Sequence, residues 1–150
     1  MWIVLSSLLL VVFGFAGLGW LARRPRPADP ATATIRVCGD SPNCVCSLDA
    51  RPTFQIEPIA VRAEDGLSRM AEVLTRMPGA SPITVRADYL HFEFKSRLFG
   101  FVDDVECIWN AERSAIEIRS ASRIGSSDLG ANRQRVEAIR RAFEQDIPRQ

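Results

Sequence analysis

Apolar and polar positions follow two regimes along this chain. From Trp2 to Ala22 no charged residue interrupts the apolar run. As a helix rising about 1.5 Å per residue, that run is about 31 Å long, matching a hydrocarbon core of about 30 Å. Trp2 and Trp20 stand near its ends, where indoles favour an interface. Arg23, Arg24 and Arg26, with Pro25 and Pro27, close it. The stretch predicts a transmembrane anchor over 1–22 and single-pass attachment to a bacterial cytoplasmic membrane. A cleaved signal peptide is the competing reading. Gly14-Phe15-Ala16 offers small residues for it, but no basic segment precedes the apolar run. Residues 23–36 carry Pro25, Pro27 and Pro30 and read as an extended tether.

Beyond the tether the periodicity changes. In Thr53–Val61, Phe54 and Ile56 alternate with polar residues until Pro58 interrupts, which marks an edge strand or a bulge. Leu67, Met70, Ala71, Leu74 and Met77 recur at helical spacing, with Asp65 as N-cap and Pro78-Gly79 as stop. Ile83–Ser96 shows Ile83, Val85 and Ala87, then Leu90, Phe92 and Phe94. The change of parity near Asp88-Tyr89 predicts a β-bulge. After a turn over 97–100, Phe101, Val105, Cys107 and Trp109 form the apolar face of a further strand, with Asp103 in the same series. Such a carboxylate needs a partner, and Arg97 or Arg123 could supply it. Ile116 and Ile118 face inward on the next strand. Ser127 or Asp128 then caps a helix with the stripe Leu129, Val136, Ile139 and Phe143, and with Glu137–Arg141 and Arg140–Glu144 as i,i+4 pairs. The pattern predicts an α+β architecture: the transmembrane helix, then a two-layer domain over 37–147. Its antiparallel sheet has about four strands with two helices on one face, in the order β-α-β-β-β-α.

The formal net charge of +1 excludes the basic field of a nucleic-acid binder. Lys95 is the one lysine among 19 basic residues. The arginine bias suits carboxylate or phosphate contacts, and equally a GC-rich genome. Cys38, Cys44, Cys46 and Cys107 permit three disulfide connectivities. Cys38 and Cys44 flank a run of turn formers that could bring their sulfurs together, while reduced thiols are the rival state. Their spacing suits zinc poorly. The cysteines point to an oxidising compartment and the flanking arginines to the cytoplasm, so the side of the membrane is left open.

Two polar constellations could carry chemistry. If the helices cover one sheet face, His91, Glu93, Asp104 and Glu106 converge on the other, about 4.8 Å apart between strands. They could bind a polar ligand, hold a divalent metal, or form cross-strand ion pairs. The segment 119–135 runs from a strand through glycine turns to a helix start, where anions bind. Arg119, Arg123, Asp128, Asn132 and Arg133 make a candidate anion-binding turn, with Asp128 as a simple N-cap and paired arginines as the alternative. No phosphate-binding loop, dinucleotide fingerprint or nucleophile motif occurs.

Cys38-Gly-Asp-Ser-Pro-Asn-Cys44, the run Asp88–Glu106 and the run Arg119–Glu137 resemble the bacterial and plastid family called domain of unknown function 1499, over roughly Cys38 to Phe143. Members of that family look like small envelope or membrane-anchored proteins, and the resemblance implies no activity. It implies that the two pattern cysteines, Cys38 and Cys44, pair with each other, which leaves Cys46 and Cys107 as a second pair. The expected function is a non-enzymatic, membrane-tethered envelope binding or accessory module, with an envelope protein or small polar ligand as partner and no resident cofactor. A metal-dependent enzyme on the His/carboxylate face and a purely structural envelope protein are the alternatives.

Overall fold

The computed structural model describes residues 33–61 and 65–146. The elements run β1 (Cys44–Cys46), β2 (Ile59–Ala60), α1 (Gly66–Arg76), β3 (Ala80–Val85), β4 (Tyr89–Lys95), β5 (Val102–Asn110), β6 (Ala115–Ser122) and α2 (Ala131–Gln145). They form an α+β domain with a six-stranded antiparallel sheet in the order β1-β6-β5-β4-β3, and β2 also pairs with β6. Among the described residues no helix is long and apolar enough to cross a membrane. The expected single-pass anchor, membrane partner and membrane localisation therefore find no support among the described residues, and the span expected over 1–22 lies outside them.

The sheet also has more strands than the expected four. Ile83–Ser96 is not one bulged strand but a hairpin, β3 and β4. The parity change marks a chain reversal, closed where the Arg86 N–H donates to the Tyr89 carbonyl at 3.0 Å and Arg86 pairs with Asp88 at 2.7 Å. The irregularity lies earlier, between Pro82 and Thr84, on the outermost strand. Gly79, at φ +81°, starts this hairpin, and a Cβ there would meet the Lys95 carbonyl oxygen at 2.7 Å. Only glycine combines that backbone with that approach. Cys44–Cys46 is a short strand rather than loop, because Val45 turns into the core between two cysteines facing the other way. Of Thr53–Val61 only Ile59–Ala60 is strand.

Period-two alternation makes one sheet face apolar. Leu90, Phe92, Phe94, Val105, Cys107, Ile116 and Ile118 pack there against Leu67, Met70, Val73 and Leu74 of α1 and Val136, Ile139 and Phe143 of α2. Burying each large apolar side chain contributes about 1.5–3 kcal/mol. Leu129 departs from the expected stripe: it is 93% exposed, because α2 begins after Gly130. Arg140 pairs with Glu137 at 3.2 Å and donates to the carbonyls of Pro58 and Glu57, so the i,i+4 pair with Glu144 is not its partner. Asp103 does lie among apolar residues. Its partner is Arg135 of α2 rather than Arg97 or Arg123, because α2 lies over that face of the sheet.

Candidate functional site

Cross-strand register brings the predicted polar face together. His91 on β4 stands opposite Glu106 on β5, which stands opposite Arg119 on β6; Glu93 stands opposite Asp104 one row on. The face is closed by guanidinium groups rather than left open for a cation. The Arg123 side chain donates through Nε to Asp104 Oδ2 at 2.9 Å, and through Nη2 to Asp104 Oδ1 at 2.6 Å and Glu93 Oε1 at 2.5 Å. His91 Nε2 shares Asp104 Oδ1 at 2.7 Å. Beside them Glu106 accepts from Tyr89 Oη and from Arg119 Nη1, both at 2.7 Å. Burial raises the Asp104 pKa, but His91 and Arg123 outweigh it and hold the carboxyl at about 2. Burial and the Glu106 carboxylate push the Tyr89 phenol far up, so it remains a donor.

These contacts correct the metal-dependent reading. Among the described residues no group of three or more His, Cys, Asp or Glu side chains could hold a metal ion. The carboxylates that would ligate one are already neutralised by Arg119 and Arg123.

The five residues of the candidate anion-binding turn are dispersed by their own pairings. Arg119 and Arg123 belong to the polar face. Asp128 supplies the anion at the start of α2 itself, accepting from the Gly130 N–H at 2.9 Å and the Asn132 N–H at 2.8 Å. Arg133 donates to the backbone carbonyls of Thr53 and Gln55. Asn132 is fully buried, and accepts from Ser120 Oγ and Arg135 Nη1, both at 2.6 Å. Its amide nitrogen faces the Asn43 carbonyl, Ser122 Oγ and Asp128 Oδ2 at 2.9, 2.9 and 2.7 Å.

Cys38 and Cys44 are bonded to each other, with Cα atoms 5.8 Å apart. Asp49 and Arg51 clasp the loop they close: the Cys38 N–H donates to Asp49 Oδ2 at 3.1 Å, and Arg51 Nη2 donates to the Cys38 carbonyl at 2.6 Å. Cys46 and Cys107 are free and buried, which corrects the second pairing. Cys46 pairs in register with Arg119, and Cys107 with the neighbouring Ile118. The two thiols therefore point to opposite faces of the sheet with β6 between them. Burial raises both thiols' pKa values and keeps them protonated. Alkylation of the denatured, unreduced chain is expected to label two thiols, and alkylation of the native chain none. A denatured count of four would remove the Cys38–Cys44 bond. Replacing both of its cysteines with serine is expected to lower stability by about 2 kcal/mol, the chain-entropy value for so short a loop.

One grouping was not expected. Lys95 pairs with Val102, the Arg123 N–H donates to the Val102 carbonyl, and Cys44 pairs with Ala121. The loops 38–43, 96–101 and 123–130 therefore all leave the same end of the sheet. Asn43 ties two of them, its Nδ2 donating to the Gly125 carbonyl at 2.6 Å. A cleft of about 240 Å³ opens there, lined by Pro42, Thr53, Ser127, Asp128 and Arg133 among others. At this end Leu98 is 81% exposed and Leu129 93% exposed, the two highest values for large apolar side chains among the described residues. Leu129 also holds φ at +53°, in the left-handed region, although it is not glycine. Bulky residues avoid that region, and it persists only where neighbours over-determine it. Here the Asp128 carboxylate does so, by holding the N–H groups of Gly130 and Asn132. In the sequence the signal is Asp128-Leu-Gly130: an Asp that turns back onto the backbone two residues on leaves the intervening leucine outside the helix.

No curated protein and no solved structure matches the chain. A family model, described as protein of unknown function (DUF1499), matches residues 34–143. It takes in the disulfide loop, the polar sheet face, Leu98 and Leu129, and the chain belongs to that family.

Proposed function

We propose that the domain is a recognition module that grips a partner protein with the loop end of its sheet. The observation that carries this reading is the exposure of Leu98 and Leu129 at the same end of the sheet. Among the described residues they are the two most exposed large apolar side chains, and they stand on different loops at one end of the sheet. Loops held in that way are where binding residues concentrate, and an apolar side chain exposed there offers area that a partner can bury. The hairpin tip is itself rigid: Ser96 N–H donates to the Phe101 carbonyl at 2.8 Å, and Phe101 N–H to Ser96 Oγ at 3.0 Å. Leu129 is held in a conformation that costs stability, and a binding role accounts for retaining it.

Two measurements test the reading. In Leu129→Gly the strain disappears, so the chain is expected to unfold about 1 kcal/mol less easily while losing its partner. In the full chain, a photo-crosslinking residue at position 98 and another at position 129 should capture the same partner. The exposed position 75 on α1 should capture none. Unrelated adducts from 98 and 129, or equal capture from 75, would sink the proposal.

A further inference from the structure

We infer that the segment this end recognises is acidic and amphipathic, with carboxylates set beside bulky apolar side chains. This rests on the recognition reading above and narrows it to a chemical class. The charges around Leu98 and Phe99 decide the matter. Lys95 and Arg97 lead into the tip, both are exposed, and among the described residues neither joins an ion pair. By contrast Arg51, Arg76, Arg86, Arg113, Arg119, Arg123, Arg135 and Arg140 each meet a carboxylate, and Arg133, which lines the cleft at this end, is engaged by the carbonyls of Thr53 and Gln55.

The acids of the neighbouring elements are committed elsewhere. Asp103 faces Arg135, and Asp104 and Glu93 face Arg123. The Asp128 carboxylate accepts from the Gly130 and Asn132 N–H groups at the start of α2. Asp40, on the disulfide loop, is the exposed acid of this end, and it lies 3.4 Å from Arg51. The tip thus presents Leu98, 81% exposed, and Phe99, 45% exposed, close in sequence to two exposed cations that join no ion pair among the described residues. Such a surface steers and orients an oppositely charged partner while its apolar side chains supply the hold.

The test is selection of a random-peptide phage library on the immobilised full chain. It is repeated on the double variants K95E/R97E and L98S/L129S. Clones from the wild-type chain should be rich in Asp and Glu next to Leu, Phe or Trp. A synthetic peptide of that sequence should bind K95E/R97E about 10-fold more weakly, and the difference should shrink as salt shortens the Debye length. Clones that need Leu98 and Leu129 but show no acidic enrichment, or that bind K95E/R97E equally well, would overturn the acidic class and leave the recognition end standing. A pool with no clone dependent on Leu98 and Leu129 would remove both. Co-sedimentation with phosphatidylglycerol vesicles that is abolished in K95E/R97E would replace the acidic peptide with a lipid surface.

Discussion

Arg123→Ala is expected to cost the full chain about 3–5 kcal/mol of stability at neutral pH, a drop of roughly 15 °C in Tm. The reason is the company the guanidinium keeps. Asp104 is buried and accepts three contacts, two from Arg123 and one from His91, and Glu93 shares the same guanidinium. Removing the cation leaves two carboxylates 23% exposed or less without their counter-charge. Arg123→Lys should recover little, since a single ammonium cannot reproduce the bidentate contact. Thermal and urea unfolding read the effect. A loss below about 1 kcal/mol would mean that the pair is no better than a surface salt bridge. Arg86→Ala, which breaks the exposed pair with Asp88, is the internal control and should change little.

The same network sets an acid limit. Asp104 is held at about 2, below its usual value, so the folded state favours the ionised form. Its contribution is complete above the unfolded value near pH 4 and is lost as pH falls through about 2. That contribution is about 2 kcal/mol. In Arg123→Ala the guanidinium's share vanishes, so the acid unfolding limb should move to higher pH. A wild-type and a variant limb that superimpose would overturn this account.

Asn132→Ala is the second large effect, expected at about 3 kcal/mol. Its side chain is the knot between α2, β6 and the disulfide loop, touching Ser120, Ser122, Asn43, Asp128 and Arg135. An alanine leaves several of those buried groups with one partner fewer. Because the Asn43 carbonyl and the Asp128 carboxylate both help shape the loop end, the variant should also loosen Leu129. Hydrogen exchange should then rise at residues 43 and 129–132 before it rises in β5. A uniform rise across the sheet would show that Asn132 only adds global stability.

The two helices and the central strands were legible because their apolar periods are long enough to be unambiguous. The stripe Val136, Ile139 and Phe143 and the face Leu90, Phe92 and Phe94 needed no tertiary information. The reversal at 86–88 was not legible, because a bulge and a tight hairpin shift parity in the same way. Leu129 lies seven positions before Val136, a helical interval, so spacing alone put it in the stripe. What removed it was the backbone of Gly130 and the carboxylate of Asp128, which together start the helix later. The members of the polar face could be named in advance, since they share a parity. Cross-strand ion pairs were among the readings open for that face, but which carboxylates Arg123 would close was not legible, because it lies beyond the end of β6 and its reach depends on register.

The placement of Cys46 and Cys107 on opposite sides of β6 turns the pair into a recorder. While the sheet is intact, no oxidant can join them, since a strand and its hydrogen bonds stand between the sulfurs. A molecule found with that cross-link must have lost its sheet beforehand, and the bond then bars β6 from returning between β1 and β5. The fraction carrying it therefore counts past unfolding events under oxidising conditions, long after the events themselves are over.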